Sequence, residues 1–325
     1  MNVNRGLLFW GLALVTAGVV ALGVQQGYLD RDAIAGAWRL WPVVLIAIGL
    51  SIILARTPVA IVGTLVAALV LGAAGGALIS IGPGFVSCGG AEPTDMDQSS
   101  GAFSGAAASV TLDLSCGELD LAMTDGAGWE ARTGATGERQ PRLDATGDSL
   151  RIRSAEDGFQ FGMGGGKQRW EIGLGSDPTY DLQVSVNAAE TTLDLAGGAF
   201  TEVGISPNAG ALHLDLSGSS VEDFRISMNA GSAELQTDAG TTLAGTIGMN
   251  AGSLRLCTAP EAVLRFRVDA NVTFSHNLDD ADSGLQQAGE ETWTSPGFGE
   301  AGSFIDLRLE GNAASFELNP EGGCA

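Results

Sequence analysis

Two aspartates, Asp194 and Asp215, stand 21 residues apart, each seven residues after an asparagine, Asn187 and Asn208. If one such interval is one turn of a stacked strand, the two carboxylates lie about 5 Å apart, close enough to share a proton or a Ca²⁺ ion. A polysaccharide-cleaving β-helix would use that arrangement. The column continues as Gln236 and Cys257, so no acidic groove extends from the pair, and a solvated face is the better reading. His213 and His276 both fall five residues after an asparagine, three intervals apart. That separation is about 14 Å in stacked strands, too far for one metal, and both are read as solvated surface residues. Asp280, Asp282 and Glu291 occupy positions 1, 3 and 12 of a loose calcium loop. Leu285 stands where that turn needs glycine, which argues against calcium. Gly164-Gly165-Gly166-Lys167 has the look of a phosphate loop, but Phe161 replaces its first glycine and Gln168 its Ser/Thr. A hairpin tip is the simpler reading. No catalytic, cofactor-binding or metal-binding residue is assigned.

The four cysteines, Cys88, Cys116, Cys257 and Cys324, include no CxxC, so zinc and dithiol redox motifs are absent. An even count fits disulfides outside the cytoplasm, with three connectivities open. Cys116 and Cys257 lie several intervals apart, which makes that pair geometrically poor. The reading leans to Cys88–Cys116 and Cys257–Cys324. Lipid modification of Cys88 is disfavoured, because Phe85-Val86-Ser87 is a poor preceding sequence.

What must position these residues is a repeat. Asparagine recurs at Asn187, Asn208, Asn229, Asn250 and Asn271, with a fixed period of 21 residues. A period of this size marks a stacked architecture. Three residues before each asparagine stand Val184, Ile205, Ile226, Ile247 and Val268; six after stand Leu193, Leu214, Leu235 and Leu256. Polar residues alternate with them, the period-2 signature of strands with one buried face. Asn-Ala-Ala or Asn-Ala-Gly then serves as a corner, since Asn and Gly tolerate positive φ. A single coil cannot bury its apolar edge, but stacked coils can. The prediction is a β-solenoid with coils of about 21 residues, like side chains in columns, and an asparagine ladder at one corner. Degenerate coils are expected around Ser115, Asn312 and, more weakly, Thr146. The 41-residue intervals 146–187 and 271–312 are expected to carry loops or hairpins. Trp293 and Phe298, in the excursion 277–304, are expected either to cap a coil end or to form a contact patch.

The chain has 325 residues and a formal net charge of −22, which argues against nucleic acid or anionic lipid as a partner of the polar part. Its apolar residues concentrate before residue 88. Residues 6–24, 38–55 and 59–82 are three apolar runs close to the roughly 20 residues a transmembrane helix needs. Three spans place the two ends on opposite sides. No Lys or Arg occurs between Arg56 and Arg132, so the positive-inside rule places the acidic domain outside. The expected organisation is a three-helix membrane anchor (1–87), a flexible linker (88–104) and the β-solenoid domain (105–325). The fold class is N-terminal transmembrane α-helices followed by an all-β solenoid.

The N-terminal part resembles the LiaI/LiaF-type transmembrane region of bacterial envelope proteins. The first Gly-rich span, the polar connection at 25–37 and the run Trp41-Pro42-Val43-Val44-Leu45-Ile46-Ala47-Ile48-Gly49-Leu50 carry that resemblance. The C-terminal part resembles the toast-rack, adhesin-like β-solenoid domains often attached to such anchors, through its repeated Asn-Ala-Gly and Leu-x-Leu. The resemblance implies a role in cell-envelope stress sensing, usually beside a two-component kinase, or in surface structure. Three spans depart from the even number that would keep the last domain in the cytoplasm. The leading expectation is thus a non-enzymatic, membrane-anchored envelope protein. It contacts membrane lipid through 6–82 and a protein partner or further copies of itself through the solenoid, with no nucleic acid. The alternatives are a carbohydrate-active β-helix enzyme and a cytoplasmic-facing regulator of a sensor kinase.

Overall fold

A computed structural model of the chain describes residues 92–136, 140–154, 167–270 and 273–324, with residues 11, 14–16 and 69 in the N-terminal part. The chain divides into two compact units, Met1–Phe85 and Val86–Ala325. Among the described residues no helix is long and apolar enough to cross a membrane, and the expected spans at 6–24, 38–55 and 59–82 lie almost wholly outside those residues.

The second unit is built of strands. In chain order they are β1 (Asp97–Ala102), β2 (Ala107–Thr124), β3 (Gly128–Ala135), β4 (Arg142–Thr146), β5 (Ser149–Arg153), β6 (Gln168–Gly175), β7 (Thr179–Asp194) and β8 (Ala199–Asp215). Then follow β9 (Ser220–Met228), β10 (Ser232–Gln236), β11 (Thr242–Cys257), β12 (Leu264–Ala270), β13 (Ser275–His276), β14 (Gln286–Gly289), β15 (Thr292–Thr294) and β16 (Ile305–Leu318). Hydrogen bonds link them into one continuous sheet.

The middle of this sheet is solenoid-like. Val184 faces Ile205, Ile205 faces Ile226, and Ile226 faces Ile247 on successive parallel strands. On the following half of each rung Leu193, Leu214, Leu235 and Leu256 lie side by side. All eight side chains are buried, and full burial of each contributes roughly 1.5–3 kcal/mol. Parallel pairing of this kind forces the chain to return to its starting edge once per rung, so each rung needs two reversals. The first is the Asn-Ala-Gly corner. Gly117, Gly210, Gly231 and Gly252 take φ of 141°, 130°, 134° and 136° there. A Cβ at Gly231 would overlap the carbonyl oxygen of Gly210 on the rung below. Ala189 and Ala314 occupy the same place without entering positive φ. The second reversal is a tight turn: Gly198 N–H bonds Leu195 C=O at 3.1 Å, and Ser219 N–H bonds Leu216 C=O at 3.0 Å.

The order of rungs departs from the sequence at both ends. The degenerate rung around Asn312 does not follow the Asn271 rung. β16 lies between β11 and β12, so Ile247 faces Leu309, and Leu309 faces Val268. At the other end β2 lies between β7 on one side and β5 and β6 on the other. Leu112 therefore faces both Val184 and Ile152. The outermost rungs are sealed by antiparallel strands, β3 then β1 beside β6, and β15 then β14 beside β12.

Two expectations are corrected here. Residues 97–104 are not linker: β1 pairs with β3, Phe103 is buried, and the Asp148 carboxylate accepts from Ser104 and Gly105 N–H, both at 2.7 Å. A short polar strand needs only a free sheet edge to pair with, and the edge of β3 supplies it. Thr146 is not a coil corner. It faces Ser149 at the tip of the β4–β5 hairpin, and the apolar alternation of Leu143, Leu150 and Ile152 belongs to that hairpin.

Candidate functional site: an outward ladder between two sealed ends

The asparagines expected at the corner form a hydrogen-bonded ladder on the surface. Asn208 Nδ2 donates to Asn187 Oδ1 at 2.5 Å, Asn229 to Asn208 at 2.5 Å, and Asn250 to Asn229 at 2.8 Å. The next rung of the ladder is Asn312, which donates to Asn250 Oδ1 at 3.0 Å. Asn271 lies outside the described residues. Asn208, Asn229 and Asn250 each donate to the rung below and accept from the rung above, so an exposed polar row is held in register without apolar help.

Asp194 and Asp215 are neighbours on β7 and β8. Their carboxylates serve the second reversal. Asp194 accepts from Ala196 N–H at 3.3 Å and Asp215 from Ser217 N–H at 2.8 Å. Asp238 does the same work on the next rung, accepting from Gly218 N–H and Gly240 N–H, each at 2.9 Å, and from the Thr241 hydroxyl. The Gly218 N–H, helped by Thr241 and Gly240, holds the Asp238 carboxyl below the usual carboxylate range against the opposing effect of burial. This turn was missed in the sequence, although Asp194-Leu195-Ala196-Gly197 and Asp215-Leu216-Ser217-Gly218 repeat it 21 residues apart.

Of the two histidines, His213 is exposed. His276 is not a freely solvated residue: its ring sits 4.9 Å from that of Trp293, and Nδ1 lies 3.9 Å from the Asp279 carboxylate. Trp293 is itself buried and donates its indole N–H to Asp279 at 2.9 Å, which places it in the cap of the C-terminal end. Phe298 is part-exposed, with the Arg265 guanidinium 4.3 Å over its ring and Phe304 5.9 Å away. Asp280 and Asp282 flank and join a short 3₁₀ turn, Ala281–Ser283, and Glu291 sits on the turn between β14 and β15. Gly164, Gly165 and Gly166 lie outside the described residues, while Lys167 pairs with Glu92 at 3.0 Å.

Cys257 and Cys324 form a disulfide with Cα atoms 5.6 Å apart. Cys116 is disulfide-bonded as well, and Cys88 lies outside the described residues. Two of the three bonded cysteines, Cys116 on β2 and Cys257 at the end of β11, sit at the two places where rung order crosses sequence order.

Charge is concentrated at these ends. Arg169 on β6 contacts Glu118 at 3.3 Å, Glu171 at 3.2 Å, Glu92 at 3.7 Å and Asp120 at 3.8 Å. At the far end Asp306 is buried and bonded by both Arg265 and Arg267. An open groove of about 640 Å³ lies beside β3, β6 and β2, lined by Trp129, Leu121 and Ile172 together with Asp120, Glu130, Glu171 and Asp194. Burial, only partly offset by Arg169, pushes the Asp120 carboxyl up. Arg132 lies 3.4 Å from Glu130 and 3.8 Å from Glu171, so part of the acidic wall is already paired.

The described strands of the second unit thus form a parallel stack with an outward amide row and antiparallel strands at both ends. Residues 94–238 match the family model of the N-terminal domain of toast_rack, and residues 8–53 match that of the LiaI-LiaF-like transmembrane region. Residues 94–238 are thus similar to a toast-rack N-terminal domain, and residues 8–53 to a membrane-associated region. Among solved structures, a candidate cell adhesion protein from Clostridium sporogenes is 11% identical, with a TM-score of 0.48, over 69% of this chain and 99% of its own. A candidate adhesin from Bacteroides fragilis is 8% identical, with a TM-score of 0.27, over 70% of this chain and 100% of its own. No curated protein matches.

Proposed function

We propose that this is a non-enzymatic, multi-pass envelope protein that holds an acidic β-solenoid of 21-residue coils outside the cell membrane. Three spans, 6–24, 38–55 and 59–82, anchor it. The solenoid displays side chains at fixed spacing to a protein partner or to other copies, in envelope stress sensing or surface contact. One observation carries this reading. The interior is closed by stacked apolar columns from Leu112 through Val268, so what repeats and faces outward is a surface and not a cleft. The carboxylates a glycan-cleaving β-helix would need, Asp194 and Asp215, are engaged by backbone N–H groups of their own turns.

Topology is the test. Cys324 is exposed, whereas Cys116 and Cys257 are buried. After mild reduction of intact cells, a membrane-impermeant maleimide labels Cys324 under this reading. Labelling that appears only after permeabilisation places the domain in the cytoplasm and returns the kinase-regulator alternative.

A further inference from the structure

β11 and β12 are joined through residues 258–263, yet they are not neighbours: β16 fills the space between them. In the middle of the stack each return connection advances the chain by one strand. Here it advances by two, and chain that precedes β16 builds a slot for it. The slot reads a definite pattern. Ile305, Leu307 and Leu309 enter the apolar columns on one half-rung, and Ala314, Phe316 and Leu318 on the other. Asn312 completes the amide ladder at the corner. Asn277 clamps the far end, donating to Leu318 C=O at 2.9 Å and accepting from Leu318 N–H at 2.8 Å.

The tether that delivers β16 is longer than the distance it crosses. Arg265 is the register partner of Thr294, the end of β15, and of Asp306, near the start of β16. Two strands flanking a third are about 10 Å apart, whereas the ten residues of 295–304 can span about 33 Å. The slack is folded into turns, with Phe298 N–H on Ser295 C=O at 3.4 Å and Glu300 N–H on Gly297 C=O at 3.1 Å. Gly297 and Gly299 take φ of 83° and 95° there.

We propose that the slot between β11 and β12 is a strand-acceptor site for β16 of a second copy of this chain, exchanged in trans, with Cys257–Cys324 as its seal. Exchange keeps every contact of β16 with β11, β12 and β13, because donor and acceptor are identical. What it gives up is the packing of the tether, chiefly Arg265 over Phe298 and Phe298 against Phe304. Copies confined to one membrane meet at raised effective concentration, which favours the exchanged form. The inference rests on the proposed membrane anchoring only for that concentration effect.

The test uses full-length chains in membranes. A Cys257→Ser copy and a Cys324→Ser copy, carrying different tags, are co-expressed and run without reductant. Exchange lets Cys324 of the first meet Cys257 of the second, so a disulfide-linked heterodimer appears, at least several-fold above the Cys324–Cys324 homodimer of the first copy alone. Monomers only, or heterodimer no more abundant than that homodimer, overturns the proposal. Should either variant fail to accumulate, wild-type chains labelled with ¹⁴N and ¹⁵N are reduced, mixed, reoxidised and digested. A mixed-label Cys257–Cys324 peptide pair supports exchange, and pairs of single label alone reject it. Both outcomes are independent of maleimide labelling, so failure here is distinguishable from failure of the topology reading.

Discussion

The middle of the stack and its two ends are built from the same kind of rung but by different rules. Between Asn187 and Asn250 sequence neighbours are spatial neighbours, and each rung needs only a corner glycine or alanine and a return turn. At the ends the chain skips a place and comes back to fill it, with β2 at one end and β16 at the other. The middle is held by local repetition alone. The ends add what repetition lacks: antiparallel caps, disulfides at Cys116 and Cys257, and clustered ion pairs around Arg169 and Asp306. A stack with open ends would expose unpaired strand edges, and terminal rungs must blunt them.

The sharpest way to break the middle is at its corner. Gly231→Val combines a positive-φ strain of about 1–3 kcal/mol with overlap on the Gly210 carbonyl. The expected result is loss of the cooperative thermal transition, read by far-UV circular dichroism. A variant that melts like wild type would show that the corner is not a close backbone approach. Next in size, Cys324→Ser removes a crosslink that closes a 67-residue separation, a change of roughly 4 kcal/mol. Hydrogen exchange in this variant should rise in β16, β12 and β13 while the middle rungs stay protected. Uniform loss of protection would mean that ends and middle form one cooperative unit.

A smaller change of opposite sign is expected at Thr191. It stands in the column occupied elsewhere by Leu212, Ala233 and Leu254, fully buried, with no hydrogen-bond partner for its hydroxyl. Thr191→Val should stabilise the domain by about 1 kcal/mol, since it relieves an unsatisfied buried hydroxyl. A destabilised variant in denaturant titration would reveal an unseen partner. The least effect is electrostatic. The Asp238 carboxyl is held low in the fold, so its contribution is present above the unfolded carboxylate pKa and is lost as pH falls through the lower folded value. Asp238→Asn should therefore flatten the acid limb of the stability curve slightly, and an unchanged limb would remove Asp238 as a contributor.

The contrast between middle and ends also explains what the sequence made legible. The period, the apolar columns and the asparagine ladder depend on local alternation repeated in order, and each can be read along the chain. The placement of Asn312 beside Asn250 cannot, because both Asn271 and Asn312 satisfy the same template and the pattern carries no information about which rung is next. The strand at 97–102 was hidden for a different reason: Asp97-Gln98-Ser99-Ser100-Gly101-Ala102 has no apolar alternation, and its pairing rests on the exposed backbone of β3. Trp293 was legible as an end cap only as one of two alternatives, since an aromatic in a loop can face inward or outward until its partner, here Asp279, is placed.

Cysteine cross-linking across the C-terminal slot tests the crossed order most directly. Thr246 on β11 faces Arg308 on β16, and Arg308 in turn faces Arg267 on β12. The double variant Thr246→Cys/Arg308→Cys should close a disulfide under mild oxidation, while Thr246→Cys/Arg267→Cys, two strands or about 10 Å apart, should not. Ready cross-linking of the second pair and none of the first would restore the sequential order and contradict the account of how the stack ends.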